Sequence, residues 1–311
     1  MSYIKHYEVG NIRVDVPQKH FIYELPLFSF SDAHDSLAVS LVYQSKMTDN
    51  PFHMANGFKL NLQKRLIMAN GVPQSYEDGN GNVVKLNRFG NKYAFDDGSY
   101  RFIRFIGGNF VLENPDYSKE HFGTDGRILA TKDKYDHVVL VYGYSATTGR
   151  LMQVNYKNKR ALYPQYKGSK LFQINYAFGG QTTIICNISY ADNGITVNHP
   201  SGVDYRITKT TNGLEAYSAN EGEAFSSTFS QKVTAIASGN TITLEKFLGN
   251  KKLDSTLYDF VHLDSEGKVD ILDITNFQGV KTRMQFAKGK PAFSYEIQES
   301  AMEPVPFVPY T

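Results

Sequence analysis

Three pairs of carboxylates are the residues of this chain whose chemistry would suit hydrolysis of a glycosidic bond. That reaction needs two carboxyl groups about 5 to 10 Å apart, one acting as acid and the other as base or nucleophile. Each pair borders a turn, where aspartate is favoured because its carboxylate accepts hydrogen bonds from nearby backbone N–H groups. We therefore predict turn roles for them, no catalytic residue, and a protein that is not an enzyme. The pairs are Asp96 with Asp97, Asp264 with Glu266, and Asp270 with Asp273.

An oxygen-rich segment, DGNGN, has the spacing that opens an EF-hand calcium loop. Asp78, Asn80 and Asn82 would supply its first three side-chain ligands. An EF-hand then requires glycine at its sixth position and glutamate at its twelfth. This chain has Val83 and Phe89 at those positions. The segment is therefore predicted to be a β-turn, and we predict no metal site and no cofactor.

The remaining nucleophiles and metal ligands are scattered along the chain. None of the 8 histidines lies in an HExxH or His-x-His pattern, and the chain has no GxSxG, P-loop or GxGxxG signature. The single cysteine, Cys186, lies in the apolar run TTIICNISY. It is predicted to be a small buried side chain rather than a reactive thiol.

Composition indicates what kind of elements must position these residues. The 311 residues include 21 Tyr, 21 Phe, 25 Gly and 0 Trp, and Val, Ile and Thr are abundant, which favours strands. The length fits one large β domain or two of ordinary size. Lys plus Arg is 33 and Asp plus Glu is 31, a formal charge of +2. That charge gives no overall attraction to nucleic acid, so we predict no nucleic-acid partner.

Short runs of β-forming residues alternate with glycine-containing turns, roughly every 8 to 14 residues, as far as about residue 290. EDGNGN at 77–82, DDGS at 96–99 and TTNG at 210–213 are examples. This pattern is typical of an all-β fold, and we predict a long antiparallel meander of stacked hairpins. Within it, residues 58–63 alternate apolar and polar side chains and are predicted to form one strand.

Three regions are predicted along the chain. Residues 1–34 form an N-terminal strand or arm region, and residues 35–300 form the meander, with a candidate seam in the polar stretch 215–232. Residues 301–311 form a proline-rich tail that runs extended. The chain start, MSYIKHYEVGNIRVDV, lacks the apolar core of a signal peptide, and no run reaches the ~20 apolar residues of a membrane span. We predict no membrane span and, if the protein leaves the cytoplasm, export without a conventional signal peptide.

One short pattern occurs twice: DGRILA at 125–130 returns as TGRLMQ at 148–153. A repeat at this scale indicates one small unit stacked against its neighbour, since neither copy buries its apolar face alone. In the first copy, a Gly-Arg-aliphatic strand is followed by a polar turn and a strand that ends in Tyr-Gly-Tyr. This arrangement resembles the YD repeat of the RHS family. The matching residues are Gly126, Arg127, Ile128, Leu129, Tyr142, Tyr144, Gly149, Arg150 and Leu151.

The segment SLVYQSKMTDNPFHMANGFKLNLQKRLI is similar to the one that precedes the repeats in RHS proteins and in the shell subunits of insecticidal toxin complexes. Those proteins have Pro-Phe-Gly and then Gly-Trp before the next strand. Here Pro51, Phe52 and Gly57 hold their places, whereas His53 replaces the expected glycine and Phe58 the expected tryptophan. The two resemblances together cover about residues 35–155.

The resemblance implies a spiralling sheet of stacked hairpins, which in the family forms a shell around a cargo. It also implies that Arg127 and Arg150 lie at equivalent sites of adjacent turns, where a guanidinium can cap carbonyls or stack on Tyr rings. We hypothesise a non-enzymatic structural protein of a phage tail, virion or related injection machine, which acts as a scaffold or host-contacting surface. It would be made in the cytoplasm and located in a virion, or at the cell surface or secreted.

The expected partners are other protein subunits in a homo- or hetero-oligomer, with a cell-surface glycan or receptor as a candidate ligand. Two alternatives stay open at this point. The first is a shell fragment of an RHS-type toxin-delivery protein. The second is a β protein that binds or cleaves carbohydrate, because tyrosine rings on strand faces can stack on sugars.

Overall fold

The computed structural model describes residues 2–7, 9–31, 36–47, 52–157, 160–220, 231–287 and 290–297. These residues form 27 strands and no helix. The all-β prediction and the long antiparallel meander are therefore confirmed. The proline-rich tail predicted at 301–311 lies outside the described residues, as does the part of the predicted seam at 221–230. The rest of that seam belongs to strands on either side.

Five strands form the first sheet in the order of the chain. Short connections join its first three strands, between Tyr7 and Gly10 and between Asp15 and His20, whereas residues 45–57 join the last two, and these neighbouring strands pair antiparallel. The strands are β1 Ser2–Tyr7, β2 Gly10–Asp15, β3 His20–Ser31, β4 Ser36–Gln44 and β5 Phe58–Leu60.

The second sheet is an antiparallel meander of 22 strands, in which strands that are consecutive in sequence are neighbours. Its first half consists of β6 Arg65–Ala69, β7 Val72–Glu77, β8 Val83–Phe89, β9 Lys92–Phe95, β10 Phe102–Ile106, β11 Asn109–Glu113, β12 Lys119–Phe122, β13 Ile128–Lys132, β14 Val138–Tyr144, β15 Leu151–Tyr156 and β16 Arg160–Lys167. Its second half consists of β17 Lys170–Phe178, β18 Gln181–Ala191, β19 Gly194–His199, β20 Val203–Thr210, β21 Gly213–Asn220, β22 Gln231–Ser238, β23 Thr241–Leu248, β24 Lys251–Leu263, β25 Val269–Thr275, β26 Lys281–Ala287 and β27 Lys290–Ile297.

The chain divides into two compact units. The first unit contains residues 1–25, 44–47 and 189–311, and the second contains residues 26–43 and 48–188. In the first unit, Tyr23 is buried and donates a hydrogen bond to the carbonyl oxygen of Val9 at 2.5 Å. Its core is completed by apolar side chains from both sheets, among them Ile12, Val14, Phe21, Ile207, Leu214, Val233, Leu244 and Leu272.

The second unit holds the segments that carry the sequence repeat. Its fully buried side chains come from β4, β5, the connection between them and the meander strands as far as β18. Cys186 is among them, and burial raises the pKa of its thiol to about 12, as expected for a small core residue. The largest of these buried side chains include Leu41, Met54, Phe58 and Phe122.

The same five-residue turn joins strands at six places. The first residue donates its N–H to the carbonyl of the fifth at 2.8 to 3.0 Å, and the fourth residue donates to the carbonyl of the first. The fourth residue has a positive φ, which is the hairpin geometry of a type I turn followed by a left-handed residue. Four turns have glycine there, while Tyr117 and Asp136 occupy it in the other two. The turns span 78–82, 114–118, 123–127, 133–137, 264–268 and 276–280.

Candidate functional site

A cavity of about 340 Å³ lies in the second unit, beside the repeated segments. Three stretches line it: Phe52 and His53, residues 63–68, and the repeat residues at 125–127, 144, 149 and 151. The structure therefore gathers around one cavity six of the residues that the sequence pattern singled out. They are Phe52, Gly126, Arg127, Tyr144, Gly149 and Leu151.

The other predicted motif residues lie elsewhere. Gly57 has a φ of 87° in the turn that leads into β5. Leu129 lies in β13 and Tyr142 in β14, where Tyr142 is buried. Arg150 belongs to the turn between β14 and β15. Pro51 lies outside the described residues.

Gly126 permits the closest backbone approach at the cavity. The Leu66 N–H donates a hydrogen bond to the Gly126 carbonyl at 2.8 Å, and Arg65 and Arg127 form an antiparallel bridge beside it. A Cβ atom on Gly126 would lie 2.2 Å from the carbonyl oxygen of Leu66, and its φ of 85° disfavours other residues. This glycine therefore fixes where β6 meets the first repeat.

Arginine stacks on tyrosine in both copies of the repeat. The guanidinium carbon of Arg127 lies 5.5 Å from the ring centroid of Tyr144, and that of Arg150 lies 5.3 Å from the ring centroid of Tyr166. Each arginine has a second interaction, Arg127 within its own turn and Arg150 with the turn between β16 and β17. Arg127 pairs with Asp125 at 3.1 Å, and Arg150 donates a hydrogen bond to the Gly168 carbonyl at 2.7 Å.

A glycine precedes each of these arginines, and the stacking of Arg127 requires the second one, Gly149. A Cβ atom on Gly149 would lie 2.8 Å from a terminal guanidinium nitrogen of Arg127, so a side chain there would displace Arg127 from Tyr144. Tyr166 is the partner that the sequence motif missed. The signal was its position relative to Arg150, which nearly matches that of Tyr144 relative to Arg127.

A buried carboxylate joins two cations behind the cavity wall. Glu77 accepts hydrogen bonds from Lys59 at 2.7 Å and from Arg65 at 2.8 Å. Lys59 and Glu77 are almost completely inaccessible to solvent. Burial lowers the pKa of Lys59, and the attraction of Glu77 opposes that shift. The ring of Phe52 lies 4.9 Å from the Lys59 ammonium and 5.2 Å from the Arg65 guanidinium.

A second buried carboxylate, Glu120, neutralises Lys64, the lysine that lines the cavity. Tyr76 donates a hydrogen bond to Glu120 at 2.9 Å, and Lys64 forms an ion pair with its other oxygen. Burial raises the pKa of Tyr76 well above 10, and the negative charge of Glu120 adds to the shift. Neither carboxylate carries a sequence signal, because its partners are distant in the chain and no local pattern connects them.

His53 contributes a strained backbone to the same wall. Its φ is 58°, a conformation that favours glycine. Its carbonyl accepts a hydrogen bond from the Leu171 N–H at 3.1 Å, and its ring lies edge-on to Tyr166 with centroids 6.4 Å apart. Burial lowers the pKa of His53, with smaller contributions from Arg150 and Arg127.

The charges around the cavity are therefore paired within the protein. Lys64, Arg65 and Arg127 each have a carboxylate partner, which is buried for Lys64 and Arg65 and about half exposed for Arg127. These ion pairs hold β6 against the repeated segments. They also make the wall of the cavity polar. Its chemistry suits binding and positioning.

The carboxylate pairs proposed for glycoside hydrolysis occupy turns and ion pairs. Asp97 accepts hydrogen bonds from the Ser99 N–H and from Arg101, and Asp264 accepts two backbone N–H groups of its own turn. Asp273 is buried and binds Arg283 through both oxygens at 2.7 and 2.9 Å. Asp270 lies 3.0 Å from a ring nitrogen of His262. These contacts give Asp97, Asp264, Asp270 and Asp273 partners within the protein.

In the described part of the chain, no three His, Cys, Asp or Glu side chains lie close enough together to hold a metal ion. The predicted turn at DGNGN is present, with the Asp78 carboxylate accepting the N–H groups of Asn80 and Asn82 at 2.8 Å. None of the described residues forms a helix long and apolar enough to cross a membrane. No family model matches the chain, and no match to it is found among curated proteins.

Proposed function

We propose that the chain is a non-enzymatic structural protein of a multi-subunit particle, with an RHS/YD-repeat-like sheet as its rigid scaffold. The observation that carries the proposal is the recurrence of one contact in consecutive copies. In each copy a glycine with positive φ precedes an arginine, which stacks on a tyrosine of a later strand. A stacked repeat of this kind is suited to building a stiff surface rather than to converging on a reaction centre.

The geometry before the repeats adds support. The RHS pattern has glycine where this chain has His53, and the positive φ of His53 is the conformation for which glycine is preferred. The aromatic Phe58 takes the position of the RHS tryptophan and is fully buried, with its ring centroid 4.9 Å from that of Tyr43. The positive φ of His53 and the buried ring of Phe58 are compatible with an RHS-like segment, which supports the proposal.

Assembly is part of the proposal because the first sheet is open at β1, which pairs with β2 alone among the described strands. β1 and β5 are its outermost strands. An edge strand presents unpaired N–H and C=O groups that can pair with another chain. We propose a component of a phage tail, virion or related injection machine, made in the cytoplasm, with a host-contacting surface. A shell fragment of a toxin-delivery protein would use the same sheet around a cargo.

Negative-stain imaging of the purified chain tests this proposal. We expect uniform multimers of defined shape, such as rings or short stacks. Featureless fields of single small particles at every concentration examined would contradict it. Hydrolysis of a polysaccharide that one Asp or Glu substitution abolishes would overturn the non-enzymatic part.

A further inference from the structure

Three exposed tyrosines lie on successive turns of the second unit. Tyr100 follows β9, Tyr117 lies between β11 and β12, and Tyr135 lies between β13 and β14. Their side chains are 84%, 67% and 69% exposed. Isolated exposed aromatics are common on proteins, but one on each of three alternate turns of the meander is a repeated feature.

The strand registers place these turns at one end of the sheet. Phe102 at the start of β10 pairs with Glu113 at the end of β11, so the turns of Tyr100 and Tyr117 share that end. Lys119 pairs with Lys132, which brings the turn of Tyr135 to the same end. Successive tyrosine turns are two strands apart, or roughly 10 Å. The three residues therefore form a tyrosine row along this edge.

The backbone of Tyr117 is strained, because a tyrosine rarely adopts a positive φ. It has a φ of 66° at the fourth turn position, where four of the six equivalent turns have glycine. A bulky side chain in this conformation is unusual, and the exposure of its ring means that core packing does not compensate. Strain retained at an exposed site is a reason to infer a function.

Polar groups separate the rings of the tyrosine row. Lys119 binds both carboxylate oxygens of Asp136 at 2.8 and 3.0 Å, which ties the second turn to the third. The ammonium of Lys134 lies 5.0 Å from the ring centroid of Tyr135, and His137 lies 3.2 Å from Asp133. Between Tyr117 and Tyr135, aromatic faces therefore alternate with hydrogen-bonding groups.

This alternation matches the surface of a glycan chain better than that of a protein. Sugars combine apolar C–H faces, which stack on aromatic rings, with hydroxyl groups that bond to carboxylates and ammonium groups. A protein contact would instead favour a contiguous apolar core depleted of charge. The regular interval between the rings also suits a polymer with repeating units.

We propose that the tyrosine row of Tyr100, Tyr117 and Tyr135 is a binding site for a linear polysaccharide. The inference rests on the host-contacting part of the proposed function and names its ligand class. Each ring stacks on a sugar of the chain, and the polar groups of the intervening turns bond to hydroxyls.

Affinity electrophoresis tests the proposal with the full chain in native gels that contain hydroxyethylcellulose, soluble starch, galactomannan or xylan. We expect at least one polysaccharide to retard the protein. Each Tyr→Ala substitution in the row should weaken the retardation about threefold to tenfold, and the triple variant should abolish it. Phe89→Ala is the matched control, because Phe89 is 72% exposed on the turn after β8, at the opposite end of the sheet.

Tyr117→Gly separates binding from folding. Glycine relieves the positive φ, so this variant should unfold at a higher temperature than the wild type and still bind more weakly.

Absence of retardation in all four gels, or retardation that the triple variant retains, would overturn the proposal. Loss of multimers in the triple variant would also overturn it, by assigning the row to a protein contact. Multimers that persist while no gel retards the protein would reject the glycan site alone and leave the scaffold proposal standing.

Discussion

Gly126 shows how one residue fixes the meeting of two segments. Its φ is 85° and its missing Cβ leaves room for the carbonyl of Leu66. We predict that Gly126→Ala lowers the free energy of unfolding by roughly 3 kcal/mol or more, because backbone strain and a backbone clash add. Gly267→Ala is the matched control, since Gly267 has a φ of 75° in the same kind of turn with open space around it.

Urea denaturation measures both variants. The control should lose only about 1 kcal/mol, which is the cost of a left-handed conformation for alanine. Equal losses in the two variants would contradict the assigned contact between Gly126 and Leu66.

Glu77 is the carboxylate that the buried Lys59 shares with the half-buried Arg65. Removal of this carboxylate leaves Lys59 and Arg65 without their shared partner, whereas removal of Lys59 leaves Glu77 paired with Arg65. We predict that Glu77→Gln lowers the free energy of unfolding by about 3 to 5 kcal/mol and that Lys59→Met lowers it by less. Chemical denaturation at neutral pH ranks the two variants. A larger loss for Lys59→Met would show that Glu77 does not serve both cations.

His20 makes the stability of the fold sensitive to acid. It is buried in the first unit with a ring nitrogen 3.3 Å from the Gln44 amide, and burial, with Lys46 and Arg13, lowers its pKa from 6.5 to about 4. A lowered pKa means that the folded state favours the neutral ring. The stability that depends on the neutral His20 ring is therefore fully present above pH 6.5. As pH falls towards 4, the free energy of unfolding should fall by about 3 kcal/mol on account of this residue.

The variant His20→Gln isolates that contribution. The free energy of unfolding of the wild type should fall more steeply between pH 6.5 and 4 than that of the variant. Parallel curves for wild type and His20→Gln would contradict the assignment.

At the scale of elements, the stacking of arginine on tyrosine defines the repeat. Double-mutant cycles with Arg127→Gln and Tyr144→Leu, and with Arg150→Gln and Tyr166→Leu, measure its energy in each copy. We predict a coupling of about 0.5 to 1 kcal/mol in both, equal within about 0.5 kcal/mol. Coupling in one copy only would mean that the two segments resemble each other in sequence without a shared contact.

The sequence predicted strands and turns well because their signals are local. Alternating β-forming runs and glycine turns led to the meander that the structure has. The single strand predicted at 58–63 was wrong, since β5 ends at Leu60 and β6 begins at Arg65. The side chain of Asn61 bonds to the Ala38 carbonyl at 2.9 Å and to the Ser40 N–H at 3.0 Å. Such side-chain bonds compete with a strand ladder, and an alternating pattern does not reveal them.

At the scale of the molecule, the candidate site depends on contacts between distant parts of the chain. Phe52, Arg127 and Gly149 were singled out from motifs, but their convergence on one cavity required the fold. The partners Glu77 and Glu120 carry no motif, so their roles were out of reach of sequence reasoning. The tyrosine row needed both the strand registers and the exposure of each ring.

The central claim is that this chain works as a subunit of an assembly. The mass of the purified protein in solution, measured by light scattering over a series of concentrations, tests it most directly. The scaffold proposal predicts one defined multiple of the 35.1 kDa chain mass that persists on dilution. A mass of 35.1 kDa at every concentration would contradict the proposal.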